Sequence, residues 1–444
     1  MERLVYIKTF GCQMNEHDSE RMLALLAGCG YRETLSWEKA QLILVNTCTV
    51  REKPEQKAYS ILGRFQSLKK RRPEVILGVA GCVAQQEGER MLAKFPFLDF
   101  VLGPGKIHLL PEILKEVERG RKGVCEVGFE DTRCMDLPLP PTPPLRAYVT
   151  IMEGCDNFCS YCIVPYVRGR ERSRPSDEII SEIEALVQRG AKEVILLGQN
   201  VNSYARNNPD ELTFPQLLAK INEIQGLKRI RFTTSHPKDF TEELMDAFGR
   251  LQRLCEHIHL PFQAGSNAVL ERMGRGYTRE QYLAKIKKLK GLIPNISITA
   301  DVMVGFPGEK EEDFIQTLEL MQEVEFDALF SFKYSPRKGT KAAHWEDDVP
   351  PEVKQRRLET LQELQREITL RKNKELEGEI KEVLVEGRSK NSPQEVMGRT
   401  RCNRIVNFPG GYELVGRLVK VRIKEGLPNS LRGELFDKEE TGDV

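Results

Sequence analysis

Cys155, Cys159 and Cys162 stand at C-x3-C-x2-C spacing in the short segment Cys155-Asp156-Asn157-Phe158-Cys159-Ser160-Tyr161-Cys162. Three thiolates hold three irons of a cubane [4Fe–4S] cluster and leave the fourth iron open. An electron-transfer cluster normally has every iron ligated by protein. An open iron therefore implies a further ligand. The competing readings are a zinc site and a disulfide pair with a spare thiol. Zinc takes four ligands, usually from two C-x2-C halves, so ligand count and spacing favour the open cluster.

Three more cysteines share one kind of surrounding. Cys12 follows Val5-Tyr6-Ile7-Lys8-Thr9-Phe10-Gly11, Cys48 follows Leu42-Ile43-Leu44-Val45-Asn46-Thr47, and Cys82 follows Val75-Ile76-Leu77-Gly78-Val79-Ala80-Gly81. Each is a short apolar run, a small or polar residue, a cysteine, then a helix-like segment. The separations of 36 and 34 residues suit successive βα units. Such units build a parallel sheet covered on both faces. Its strands end along one edge, where ligands gather. The three thiols then converge and suggest a second cluster with its own open iron. The alternative is three buried cysteines acting as small hydrophobes. Cys29, Cys125, Cys134, Cys255 and Cys402 lack the pattern and read as core or surface thiols.

The elements that position these residues fall into three regions. Residues 1–136 form an α/β domain with a parallel sheet. The proline-rich stretch 137–145 reads as an extended, semi-rigid linker. Residues 146–376 contain six strand candidates, at 146–152, 194–197, 230–233, 257–260, 296–300 and 329–332. Helical stretches lie between them, for example 176–189 and 278–292. This predicts a partial (β/α)6 barrel, with its site at the strand C-terminal ends. That rim carries the Cys155 loop, Gly198-Gln199-Asn200, Ser235-His236-Pro237, Pro261 to Ser266 and Val304-Gly305-Phe306-Pro307-Gly308-Glu309. His236, His257 and His259 lie on or beside apolar strands, where a satisfied core histidine is the default. Residues 351–374 read as a connecting helix with a Leu358, Leu361, Leu364, Ile368 stripe. Residues 377–440 carry short strands and turn signals and predict a small OB-like β-barrel.

Charge narrows the partners. The 444-residue chain has a formal net charge of +1, so no global basic field advertises nucleic acid. Locally, residues 378–435 hold eleven Lys and Arg against seven Glu, a balance of +4, with Arg399, Arg401 and Arg404 close together. A small basic β-barrel on an enzyme suits RNA binding, with those arginines as phosphate contacts. Arg168, Arg170, Arg172 and Arg174 alternate after the cluster loop and suit carboxylate or phosphate. Apolar residues make up 40% of the chain and charged residues 30%, ample for globular cores. The N-terminus runs straight into a strand-like segment without signal-peptide features. No apolar run approaches the ~18 residues of a membrane span. Eleven cysteines, an odd number, argue against a disulfide framework. The cytosol is the expected address.

With these residues in hand, the chain resembles the radical S-adenosylmethionine (SAM) methylthiotransferases along its whole length. Within that group it is most similar to the tRNA-2-methylthio-N6-dimethylallyladenosine synthases. The matching segments are Thr9 to Glu16, Asn46 to Lys53, Gly154 to Arg174, Leu197 to Tyr204 and Thr233 to Pro237. Gln13-Met14-Asn15 and Arg51-Glu52-Lys53 favour this subgroup. The resemblance implies a TRAM domain at the C-terminus and two [4Fe–4S] clusters, on Cys12, Cys48 and Cys82 and on Cys155, Cys159 and Cys162. It implies SAM at the second cluster, with Tyr161 beside its adenine and Gln199, Asn200, Gly305 and Arg168 as further candidate contacts. One SAM would act as methyl donor and another as radical source. The implied reaction places a methylthio group on carbon 2 of N6-isopentenyladenosine at position 37 of tRNA. The implied partners are tRNA and an electron donor such as flavodoxin or ferredoxin, with the protein a monomer. Related enzymes act instead on threonylcarbamoyladenosine or on a ribosomal-protein aspartate. A reading from another class is a non-catalytic iron–sulfur RNA-binding protein.

Overall fold

Central strands with consecutive apolar residues must bury both faces, and the first sheet is built on such strands. The computed structural model describes residues 3–49, 52–129, 138–140, 144–390 and 392–436, the side chains of 52–54 excepted. Cys134, Val50, Arg51 and residues 137 and 141–143 of the proline-rich stretch lie outside the described residues. The chain forms two compact units. The first comprises Met1–Arg189, Leu197–Gln199 and Arg337–Ala343, and the second comprises Gly190–Leu196, Asn200–Pro336 and His344–Val444.

In the first unit, β1 (Arg3–Thr9), β2 (Tyr31–Glu33), β3 (Leu42–Thr47), β4 (Ile76–Gly81), β5 (Phe100–Leu102) and β6 (Val124–Glu126) form one sheet. Its order is β2-β1-β3-β4-β5-β6, and every pairing is parallel. The period-2 alternation of a strand divides β3 between two cores. Ile43 and Val45 pack with Leu62 and Phe65 of the helix Glu52–Arg71. Leu42 and Leu44 pack with Met22 and Leu26 of the helix Gln13–Gly28. The register sets Thr9 beside Asn46 and Thr47 beside Gly81, so β1, β3 and β4 end level with one another. This unit also holds the strand Arg146–Thr150 and the cluster loop that follows it.

The second unit continues the strand–helix alternation. Glu193–Leu197 runs parallel to Arg229–Phe232, and His257–His259, Ser297–Val304 and Ala328–Lys333 run parallel in that order. These are five of the six expected strands, and the sixth, Arg146–Thr150, is counted in the first unit. Capping boxes at Thr213–Gln216 and Thr278–Gln281 fix two helix starts. The connecting helix spans Pro351–Lys374 as expected, but its buried side carries Lys354, Arg357, Leu361, Gln365 and Ile368. The expected stripe is displaced, because Leu358 and Leu364 are only half-buried. The C-terminal strands Ile380–Arg388, Glu395–Thr400, Ile405–Pro409, Leu418–Gly426 and Leu431–Leu435 close into a barrel. Val383, Val385, Val396, Val406, Phe408, Val421, Ile423 and Leu431 fill it. No helix among the described residues is long and apolar enough to cross a membrane.

Candidate metal centres

Cys12, Cys48 and Cys82 follow the level ends of β1, β3 and β4, which brings them together across 70 residues of sequence. Side-chain amides stitch the strand ends. Asn15 donates to Asn46 Oδ1 (3.1 Å) and to the Thr47 carbonyl (2.9 Å). Asn46 donates to the Asn15 carbonyl (2.8 Å), and the Thr47 hydroxyl donates to the Ala80 carbonyl (2.6 Å). Gly11 has φ +126°, and a Cβ there would lie 2.3 Å from Cys48 Cβ and 2.9 Å from its Sγ. Only glycine lets this loop approach so closely. The Cys12 thiol is lowered from its ordinary value by its hydrogen bond with Cys48, with help from the Arg168 charge. Burial pushes the Cys82 thiol up, and Arg168 opposes it.

The second thiol set belongs to a loop held from several sides. Gly154, at φ +77°, sits where a Cβ would fall 2.0 Å from the Arg170 carbonyl. Its N–H donates to the Gln199 side-chain oxygen. Cys155 N–H donates to the Gly169 carbonyl (3.2 Å), and Cys162 N–H to the Cys159 carbonyl (2.9 Å). Phe158 takes φ +45°, uncommon for a bulky residue, with Arg170 5.2 Å over its ring. Arg170 also pairs with Asp156 at 3.0 Å. Asn157 Nδ2 donates to Cys155 Sγ at 3.5 Å, an N–H···S contact of the kind that tunes clusters. Burial nevertheless raises the Cys155 thiol. Tyr161 is half-buried between Ser160 and Cys162.

These features test the fit of clusters. Each set supplies three thiols and a loop that a single Cβ would block. Beside the first set lies a buried guanidinium nitrogen, Arg168 Nη1, without a hydrogen-bond partner. Among the described residues no three Cys, His, Asp or Glu side chains close on one metal ion. A cubane asks for something else, one thiolate on each of three irons. The residues fit.

Several expected contacts have other partners. Arg168, expected near SAM or phosphate, is buried against Asp18 at 2.5 Å and faces the Cys12 and Cys82 thiols. Arg170 serves the loop, and Arg174 pairs with Glu182 at 2.5 Å and donates to the Thr150 carbonyl. The alternate arginines therefore do not project together. Asn200 is buried, donating to Asp239 (2.6 Å) and accepting from His236 N–H (3.1 Å). Gly305 N–H donates to the Glu309 carboxylate (3.1 Å), which Arg357 holds at 2.8 Å. A Cβ on Gly305 would meet Lys354 at 2.3 Å. Lys354 and Arg357, on the connecting helix, thus anchor this turn, which periodicity alone did not indicate. Burial drives His236 and His257 toward the neutral form. His259 lies between Thr299 (3.0 Å) and Asp301 (3.5 Å).

The barrel arginines also differ from expectation. Arg401 chelates Glu256 at 2.7 and 2.8 Å, Arg404 pairs with Asp327, and Arg399 lies 3.2 Å from Glu386. Buried Arg229 and Arg231 donate to the carbonyls of Arg399, Arg401 and Thr400 at 2.7 Å. Carboxylates nearby in space outcompete a distant phosphate for these cations. Changing Arg399, Arg401 and Arg404 to Ala is expected to alter the salt slope of tRNA binding by less than about one unit. Filter binding across a salt series measures it. The same change destabilises the second unit by about 2 kcal/mol, below the range for a lone buried pair because Lys372 still faces Asp327 at 3.0 Å. A slope reduced by two or three units would restore the phosphate reading.

Comparison with known proteins follows the same divisions. Family models match at residues 4–103 (Uncharacterized protein family UPF0004), 149–321 (Radical SAM superfamily) and 374–436 (TRAM domain). The tRNA-2-methylthio-N6-dimethylallyladenosine synthase of Syntrophus aciditrophicus is 52% identical, over 98% of this chain and 95% of its own length. The enzyme of that name from Geotalea uraniireducens is 53% identical, over 98% and 99%. The chain belongs to this synthase family. It is a radical SAM enzyme, and its cofactors are [4Fe–4S] clusters and SAM. Among solved structures, the radical SAM methyltransferase TsrM from Kitasatospora setae aligns with a TM-score of 0.55 at 14% identity, over 77% of each chain. The cobalamin-dependent radical enzyme OxsB aligns at 0.53 and 12%, over 77% of this chain and 54% of its own. At such identity these two show the shared fold.

Proposed function

We propose that this protein replaces the hydrogen on carbon 2 of N6-isopentenyladenosine, at position 37 of tRNA, with a methylthio group. The observation that carries the reading is identity above 50% to dimethylallyladenosine synthases along nearly the whole chain. Cys12, Cys48 and Cys82 would hold one cluster, and Cys155, Cys159 and Cys162 the other. When bound, the clusters and SAM supply the radical and the methylated sulfur that an unreactive aromatic C–H requires.

The chain's own residues position and exclude. Gly154, Gln199 and Gly169 fix the base of the Cys155 loop, and Asn157 donates to its first sulfur. Cys159 and Ser160 are buried, which keeps water from the reacting centre. Gly11, Asn15, Asn46 and Thr47 hold the first thiol set. The reacting base must leave the anticodon-loop stack to reach such a pocket. With Arg399, Arg401 and Arg404 committed elsewhere, RNA contact falls to exposed Tyr412 and Arg388. The Arg388 guanidinium lies 5.8 Å from the Tyr412 ring centroid, which suits base stacking beside a cation.

The division into residues 1–136, 146–376 and 377–440, a flavodoxin- or ferredoxin-type electron donor, a monomer and a cytosolic address complete the proposal. Mass spectrometry of tRNA nucleosides tests it. A strain lacking the protein should accumulate N6-isopentenyladenosine and lose its methylthio derivative, and the restored gene should return it. Loss of methylthio-threonylcarbamoyladenosine instead would move the protein to the neighbouring group.

A further inference from the structure

Arg168 follows the third cysteine of one set by six residues, yet it sits with the other set. Its side chain is 5% exposed, and that of its partner Asp18 is 3% exposed. Taking a guanidinium out of water costs several kcal/mol unless its charge and N–H groups are used. Asp18 uses Nη2, at 2.5 Å, whereas Nη1 has no hydrogen-bond partner. The neighbouring Val167 packs with Ile163 against Cys82, which brings this segment to the end of β4. The groups facing the guanidinium are Asp18 and the thiols of Cys82 and Cys12. A cubane on three thiolates carries net negative charge, which grows on reduction. Nearby cations and N–H···S bonds raise its potential and hold it.

We propose that Arg168 is the counter-charge and N–H donor of the cluster held by Cys12, Cys48 and Cys82. The loop bearing Cys155, Cys159 and Cys162 thereby also completes the other metal site. Asp18 is then a positioning residue, which holds the guanidinium beside the sulfurs and neutralises part of its charge. The inference rests on the assignment of Cys12, Cys48 and Cys82 as ligands. It deepens that assignment by naming a residue that neither the spacing nor the strand ends disclose.

The test uses full-length protein with Cys155, Cys159 and Cys162 replaced by Ala, so that one cluster remains. Arg168→Gln alone strands a buried carboxylate and endangers the fold. The change is therefore made on an Asp18→Asn background and compared with Asp18→Asn alone, with circular dichroism melting as the check on folding. Adding Arg168→Gln should move the midpoint of the remaining cluster to a more negative potential and speed iron loss to a chelator about tenfold or more. Arg168→Lys on the same background keeps the charge without the planar fork. It should hold the potential closer to that of Asp18→Asn alone while retaining less iron. Equal midpoints and equal iron loss with and without Arg168→Gln would overturn the proposal. It would leave Arg168 as no more than the partner of Asp18. A protein that binds no iron before Arg168 is touched would refute the ligand assignment itself.

Discussion

With Cys155, Cys159 and Cys162 all changed to Ala, the anaerobically reconstituted protein is expected to hold about four irons instead of about eight, at ~4 per cubane. It should release no 5′-deoxyadenosine from SAM. The expectation is close to all-or-none. On the proposed assignment these three thiols would hold the cluster that binds and reduces SAM, so removing all three removes its ligands together. Cys155 and Cys162 are half-buried and Cys159 is buried, but the loop has supports that the thiols do not provide. Gly154 to Gln199, Cys155 N–H to Gly169 and Arg170 to Asp156 all survive the substitution. The variant should therefore fold, so lost activity reports chemistry. Iron assay and chromatography of the SAM products decide the matter. A triple variant that still cleaves SAM reductively would show that these cysteines are not the radical centre.

Features that depend on local order were legible in the sequence. Cys12, Cys48 and Cys82 could be grouped because each follows an apolar strand-like run, and a parallel sheet levels its strand ends. The barrel strands and the helix Pro351–Lys374 were legible for the same reason, since apolar periodicity is a local signal. Partners were not. Arg168 and Asp18 are 150 residues apart, and Arg404 and Asp327 are 77 apart. Sequence alone assigns both arginines an external anion, whereas in the fold an internal carboxylate stands beside each. Composition counts charges but does not show which are already neutralised. The roles of Asn15, Asn46 and Thr47 were missed although each sits within three residues of a marked cysteine. Small polar residues beside a strand-end cysteine are a usable signal, because the exposed strand-end carbonyls and amides need partners.

Replacing Cys12, Cys48 and Cys82 by Ala should abolish methylthio transfer while leaving reductive SAM cleavage in place. The expected product is 5′-deoxyadenosine without 2-methylthio-N6-isopentenyladenosine in the tRNA, both measured by mass spectrometry in one reaction. The two thiol sets have different supports. The first depends on Gly11, Asn15, Asn46 and Thr47 at the sheet edge, and the second on Gly154, Gln199 and Gly169. They nevertheless belong to one compact unit, and Cys82 packs directly on Ile163 and Val167 beyond the radical loop. Truncating Cys82 removes one sulfur from that contact, a loss of about 1 kcal/mol for a small buried group. Even if that whole loss reached the barrier to SAM cleavage, the rate should fall by less than about tenfold, since each tenfold in rate is ~1.4 kcal/mol. Full methylthiolation by this variant would make the N-terminal cysteines structural. Complete loss of SAM cleavage in a folded variant that keeps about four irons would mean that this contact couples the two centres, so that neither works without the other.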